Sequence, residues 1–431
     1  MRWPVLLCAA AALSCGAPAT QEASTNIVAE SSSPLPPAES AHSIAVLRLR
    51  RDAERAGVVA EKNGRSAISF SRAASAHMAL ARLTAEPEHW VEATRLLERA
   101  VELAPDDPPR LVMAQLHAAL HRPRMAMAEL EAHAARNHPG ETPRRIAYRR
   151  ALQAQLAHEL GDYSAAQEHL EASLSTAETA TGLATLARDR WLRADYAGAL
   201  EAYERTEAAY GPRNLESRAW VRLQVGLIAL DRGRLDEAEA AYRAADALYP
   251  GYWLIEEHLA EILVLRGQLG KARAQYVSVV ERAPTPELFG ALEEVCEALG
   301  DHGCRADAAV RGAAATARWR RLLPEMADGH EVRRSIEQGN AQARTFALSN
   351  AAARPNAEAW MLVAQAELSR RDPLAAVTAL RRALETPVRS AELHETAAAV
   401  YGAAGDVGRA ADHRRAAALL DPTRRTRIEF Y

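Results

Sequence analysis

A short pattern recurs along this sequence and constrains the fold more than any other feature. In each copy a turn residue is followed two positions later by a bulky residue, and three positions after that by an alanine. The copies occupy residues 161–166, 194–199, 233–238, 267–272 and 405–410. Two helices of a hairpin approach closely only where the facing side chains are small, and a bulky residue fills the space at the turn. One hairpin cannot bury its apolar face alone, so the pattern predicts stacked hairpins.

The pattern continues beyond each alanine. A second small residue follows, and a proline then ends the unit, as in Ala245 with Pro250 and Ala417 with Pro422. Proline cannot continue a helix, so it marks the end of each pair. These residues resemble the tetratricopeptide repeat family over residues 66–422. The resemblance implies an all-α, right-handed superhelical solenoid of antiparallel helix pairs. It also implies that the first helix of each pair lines a concave groove that binds proteins or peptides.

The N-terminus has the features of an export signal. Arg2 precedes an apolar run over residues 5–13, which is too short to serve as a membrane-spanning anchor. The run ends in Ser14, Cys15 and Gly16, which resembles a bacterial lipobox and makes Cys15 the candidate for lipidation. An ordinary signal, cleaved after Ala17 or Ala19, is the alternative. We expect an exported protein in the cell envelope, held in the outer membrane by lipid and facing the periplasm or the cell surface.

The repeats and the composition divide the chain into successive regions. Residues 16–42 are rich in Ser and Pro and predict a disordered tether. Residues 312–340 fit no repeat and predict an irregular break. The predicted regions are a signal segment 1–15, the tether 16–42, a capping helix 43–65, an N-terminal array 66–311, the break 312–340, a C-terminal array 341–422 and a tail 423–431.

Composition and motifs exclude several classes of function. The net charge is -3 and no basic patch stands out, so we do not expect nucleic-acid binding. No catalytic or phosphate-binding motif is present, so we expect neither an enzyme nor a cofactor. Hydrophobic residues make up 48% of the chain but aromatic residues only 5%, which favours helices built from alanine and leucine.

Placing the first helices in register predicts which side chains face the groove. Tryptophan and arginine are common anchors at protein interfaces. The alternative is that Trp191 and Trp220 fill gaps between hairpins. The predicted groove residues are Tyr148, Arg188, Trp191, Trp220, Leu223, Leu227, Glu257, His258 and Glu261.

Histidines and cysteines suggest two further sites. His117 and His121 lie four residues apart, so they share a helix face and form a weak candidate for a metal site. Packed or solvated histidines are the alternative. Cys296 and Cys304 lie near the end of one helix and the start of the next, and an exported chain meets an oxidising compartment, so a disulfide is expected.

Together these features predict an envelope-anchored scaffold that binds and positions other proteins through the groove and touches the membrane only through its lipid. The alternative is a periplasmic accessory protein that binds a metal or a small ligand.

Overall fold

The computed structural model describes residues 40–136 and 140–422. These ranges form 21 helices and no strand. The helices are α1 (Ala41–Lys62), α2 (Ala67–Thr84), α3 (Pro87–Leu103), α4 (Arg110–Ala119), α5 (Pro123–Ala135), α6 (Pro143–Glu159), α7 (Tyr163–Thr176), α8 (Ala180–Leu192), α9 (Tyr196–Tyr210), α10 (Leu215–Asp231), α11 (Leu235–Leu248), α12 (Trp253–Leu265), α13 (Leu269–Arg282), α14 (Pro286–Ala298), α15 (His302–Leu322), α16 (Pro324–Glu337), α17 (Ala343–Ala353), α18 (Ala357–Ser369), α19 (Pro373–Leu384), α20 (Ala391–Ala403) and α21 (Val407–Leu420).

After α1, consecutive helices associate as antiparallel pairs, from α2 with α3 to α20 with α21, and successive pairs stack on one another. The predicted all-α solenoid of helix pairs is confirmed. Helix α1 packs on α2 in the place predicted for a capping helix. The predicted signal segment, the tether up to residue 39 and the tail from residue 423 lie outside the described residues. None of the helices described here is both long enough and apolar enough to span a membrane.

The recurring pattern explains each turn. Gly233 adopts a positive φ of 73°, a conformation that glycine reaches without steric cost. In the α6–α7 turn, the side chain of Asp162 accepts a hydrogen bond from the backbone N–H of Ala165 at 2.9 Å and caps α7. The alanine of the pattern is buried where two helices meet, and Ala238 is 0% exposed. The sequence pattern therefore encodes the local geometry of each hairpin.

The predicted irregular break at 312–340 is wrong, because most of this segment is helical. Helix α15 runs on to Leu322, and α16 begins directly after Leu323 with Pro324 in its first turn. Trp319, at the end of α15, packs into a cluster with Trp90 of α3. The segment departs from the repeat pattern because it packs against the first hairpin as well as its own neighbours.

The N-terminal end of the solenoid contacts the middle of the chain. The backbone N–H of His42 donates to the carbonyl of Pro250 at 3.2 Å, and its ring stacks on Tyr252 with centroids 5.3 Å apart. The indole of Trp253 donates to the carbonyl of Leu83 at 2.9 Å. The first hairpin therefore meets the loop between α11 and α12.

The C-terminal hairpins also contact hairpins in the middle of the chain. The backbone N–H of Ala357 donates to the hydroxyl of Tyr163 at 3.0 Å, and that of Arg389 donates to the carbonyl of Leu192 at 2.7 Å. The turns that join α6 to α7 and α8 to α9 thus dock on the loops that precede α18 and α20. The superhelix closes on itself, and we call this arrangement the closed coil.

Candidate functional site

Much of the predicted groove is buried against neighbouring helices. Trp220 is only 3% exposed and packs edge-on against Tyr203, with ring centroids 6.2 Å apart. Leu223 and Leu227 belong to the largest core cluster. The prediction that these three side chains line an open groove is wrong. Helix α10 buries nine of the eleven residues from 219 to 229, and Arg222 is the one exposed residue among them, so its apolar side chains pack within the fold.

Three predicted groove residues remain partly accessible, and all lie on the first helices α6 and α8. The guanidinium of Arg188 pairs with Glu159 at 3.3 Å. The indole N–H of Trp191 donates to Asp231 at 3.1 Å. The hydroxyl of Tyr148 contacts the side-chain amide of Gln115. We call these three partly exposed residues of α6 and α8 the α6–α8 surface.

Buried polar side chains lie along the first helices, and their burial could not be inferred from the local pattern of residues. Gln155 of α6 donates to Thr185 of α8 at 2.8 Å, and both are buried. His158 of α6 lies 3.3 Å from Asp189 of α8. Such bonds between consecutive first helices hold neighbouring hairpins in register, since a buried polar group needs a partner.

Glu257, His258 and Glu261 form a compact polar cluster on α12. The imidazole Nδ1 of His258 lies 3.1 Å from a carboxylate oxygen of Glu261 and 3.3 Å from one of Glu257. Their exposed fractions are 6%, 5% and 6% in chain order. The ring of Tyr242 stacks on His258 at a centroid distance of 5.3 Å and fixes its plane. The sequence placed these residues on the inner helix face but did not show their burial.

The electrostatics of this cluster are unusual. Burial raises the pKa of Glu257 to about 7, and the negative charge of Glu261 acts in the same direction. Within residues 40–136 and 140–422, no arginine or lysine forms an ion pair with either carboxylate. Burying a charged group without a partner is unfavourable, so buried charges are normally paired or bound to a metal.

The weak histidine candidate does not form a comparable cluster. Among the described residues, Glu257, His258 and Glu261 are the one set of at least three metal-binding side chains whose ligand atoms lie within 4.8 Å of one another. His117 and His121 are therefore not part of such a set. The ring of His121 instead contacts the guanidinium of Arg354 at 3.1 Å.

Cys296 and Cys304 form a disulfide that joins the end of α14 to the start of α15, with their Cα atoms 5.7 Å apart. The bond ties the two helices of one hairpin at their turn. Cys15, the predicted lipidation site, lies outside the described residues.

A cleft of about 440 Å³ opens where the closed coil ends. Tyr196 and Arg232 form one wall, with the guanidinium 5.0 Å from the ring centroid, and Leu420 and Pro422 form the other. The sequence could not indicate this cleft, because its walls come from segments about half the chain apart.

The comparisons with known proteins agree with the repeat architecture. A family model described as tetratricopeptide repeat matches residues 229–295, from the end of α10 into α14. The chain therefore carries tetratricopeptide repeats in this segment, and the resemblance inferred from the sequence is confirmed. The comparison with curated proteins finds no match.

Several solved structures show a similar arrangement of helices at low sequence identity. PilW, a type IV pilus biogenesis factor, is 18% identical, with 50% of this chain and 92% of PilW covered and a TM-score of 0.38. Yeast Tom70 is 14% identical, with 84% and 96% covered and a TM-score of 0.37. The human IFIT1 dimer with m7Gppp-AAAA is 15% identical, with 80% and 89% covered and a TM-score of 0.41.

Proposed function

We propose that this protein is a scaffold of the cell envelope that binds other proteins through the α6–α8 surface. Tetratricopeptide solenoids commonly serve as protein-binding scaffolds, because stacked hairpins present a long binding surface instead of one enclosed pocket. The observation that carries the proposal is that Tyr148, Arg188 and Trp191 stay half-buried on consecutive first helices while their apolar neighbours are in the core. Aromatic and arginine side chains of this kind are frequent anchors of protein interfaces.

The chemistry of this surface indicates the kind of partner it fits. Among the described residues, the guanidinium of Arg188 pairs with one carboxylate, that of Glu159, at 3.3 Å. A carboxylate of a partner can compete for this guanidinium in the two-pronged geometry that arginine favours. Trp191, three residues further along α8, is also partly exposed and offers apolar area. A protein segment that combines an acidic residue with an apolar one matches both groups.

We also propose that Cys15 is lipidated and that residues 16–39 tether the solenoid to the membrane. The support is the apolar run that ends in Ser14, Cys15 and Gly16. The Cys15→Ser variant should then move from the membrane fraction to the soluble fraction of the envelope. Unchanged membrane association would reject lipidation at this residue.

Matched alanine variants test the binding surface. Arg188→Ala removes the proposed anchor, whereas Arg205→Ala removes an exposed arginine of α9 that pairs with Glu178. Loss of an interface arginine commonly costs about 2 kcal/mol or more, which is more than roughly tenfold in affinity. We expect proteins recovered from envelope extracts with the wild type to be retained by Arg205→Ala and lost by Arg188→Ala. Equal recovery by the two variants, both folded, would reject the α6–α8 surface.

A further inference from the structure

We propose that Glu257, His258 and Glu261 bind one divalent first-row transition-metal ion, with Zn²⁺ as its representative. The inference is independent of protein binding, because the cluster is buried on α12 whereas the α6–α8 surface lies on other helices.

The ligand types fit such an ion. The cluster offers one imidazole nitrogen and two carboxylates, and zinc is bound in proteins by these groups. Imidazole favours transition metals over magnesium and calcium, which prefer all-oxygen sites. Glu261 lies four residues after Glu257 and three after His258, so its side chain shares a helix face with each of them.

The spacing of the ligand atoms also fits. In a tetrahedral zinc site with bonds of about 2.0–2.2 Å, neighbouring ligand atoms lie about 3.3 Å apart. The observed separations of His258 Nδ1 from the carboxylates are 3.1 Å to Glu261 and 3.3 Å to Glu257. The stacked ring of Tyr242 holds the imidazole in this plane, so little rearrangement is needed on binding.

The charge of the buried cluster is a second and separate argument for a bound metal ion. Two carboxylates are buried together and, among the described residues, no arginine or lysine pairs with them within 4 Å. With both carboxylates ionised, a protonated His258 would still leave the cluster with a net charge of about -1. A divalent cation removes this excess, which would otherwise be unfavourable in the interior. The competing explanation is that a proton alone is shared between His258 and the two carboxylates.

Zinc titration of the full chain separates the two explanations. After dialysis against a chelator, isothermal titration with ZnCl₂ should show one strong site. Glu261→Gln keeps the size of the side chain and removes one ligand charge, so zinc binding should weaken by about tenfold or more. Glu256→Gln is the matched control, since Glu256 lies on the same helix but pairs with Arg282; its zinc affinity should equal that of the wild type.

The visible spectrum of added Co²⁺ gives a second readout. A tetrahedral site produces d–d absorption, which should appear with the wild type and with Glu256→Gln and be absent with Glu261→Gln. Glu257→Gln serves in place of Glu261→Gln if the latter fails to fold. Absence of zinc binding by the wild type, or equal zinc affinity in all folded variants, would overturn the proposal and favour the shared proton. Zinc binding that is lost only in His394→Gln would place the metal at the His394–His413 pair, whose Nδ1 atoms lie 2.9 Å apart, and would also overturn it.

Discussion

The indole of Trp253 donates a 2.9 Å hydrogen bond to the backbone carbonyl of Leu83, although 170 residues separate them in the chain. Both residues belong to one core cluster that spans the first hairpin and helices α10 to α15. In an open solenoid each repeat contacts only its neighbours, and stability is close to a sum of local terms. The closed coil adds contacts between distant repeats, so the first hairpin and α12 should unfold together.

The Trp253→Phe variant tests how much this hydrogen bond contributes to the free energy of unfolding. The substitution keeps an aromatic ring but removes the donor, and one hydrogen bond contributes about 1 kcal/mol. The matched control is Trp220→Phe, because the indole nitrogen of Trp220 is buried and has no hydrogen-bond partner among the described residues. In urea unfolding we expect Trp253→Phe to lose about 1 kcal/mol more than Trp220→Phe. Equal losses would mean that the bond contributes nothing to stability.

Ala238→Leu tests the close helix contact in the α10–α11 hairpin. Ala238 is 0% exposed, and the nearby Gly226 lies so close to Tyr242 that an added Cβ would approach the ring to 2.3 Å. Overpacking at such a position costs about 1–3 kcal/mol. Ala244→Leu changes an exposed alanine of the same helix and should leave the melting curve nearly unchanged. A melting temperature of Ala238→Leu equal to that of the control would contradict this register.

Acid should weaken the attachment of α1. Burial lowers the pKa of His42 below its ordinary value of 6.5, and the charge of Arg282 adds to this effect, whereas the bond to Leu83 and the charge of Glu256 oppose it. The folded state therefore favours neutral His42, and the unfolded chain binds the proton more readily. The contribution of His42 is complete above pH 6.5 and is lost as the pH falls below it.

Urea unfolding at pH 7.5 and at pH 5.5 measures this loss. His42→Gln can still donate to the carbonyl of Leu83 but does not titrate in this range. The wild type should lose more stability between the two pH values than His42→Gln does. An identical loss in the two proteins would show that His42 does not titrate across the transition.

The sequence predicted the elements that depend on local chemistry. Gly233, Leu235 and Ala238 lie within six residues of one another, so their spacing was enough to identify a hairpin. The hydrogen bond of Trp253 to Leu83 and the packing of Trp319 against the cluster that contains Trp90 join distant segments, and no local pattern encodes them. For this reason the helical nature of residues 312–340 was missed.

The candidate sites also combine features that follow from local residue spacing with features that depend on long-range packing. Helix register grouped Trp220, Leu227 and Glu257 on the predicted groove side of the first helices, but it could not show that all three are buried. The closure of the coil is equally hidden from a local pattern, because it depends on long-range contacts such as those of Tyr163 with Ala357 and of Leu192 with Arg389. The α6–α8 surface could therefore be distinguished from the buried part of the groove only in the folded molecule.

Closure of the coil brings distant hairpins into contact, and a cross-link between two of these hairpins tests it most directly. The guanidinium of Arg124, in α5, donates to the carbonyl of Ala352, in α17, at 3.1 Å, and both residues are exposed. Arg124→Cys and Ala352→Cys are combined in a chain with Cys8→Ser and Cys15→Ser and treated with a short thiol-specific cross-linker. Mass spectrometry of the digested monomer should then recover the two peptides joined within one molecule. A monomer in which both new cysteines react singly and never with each other would contradict the closed coil.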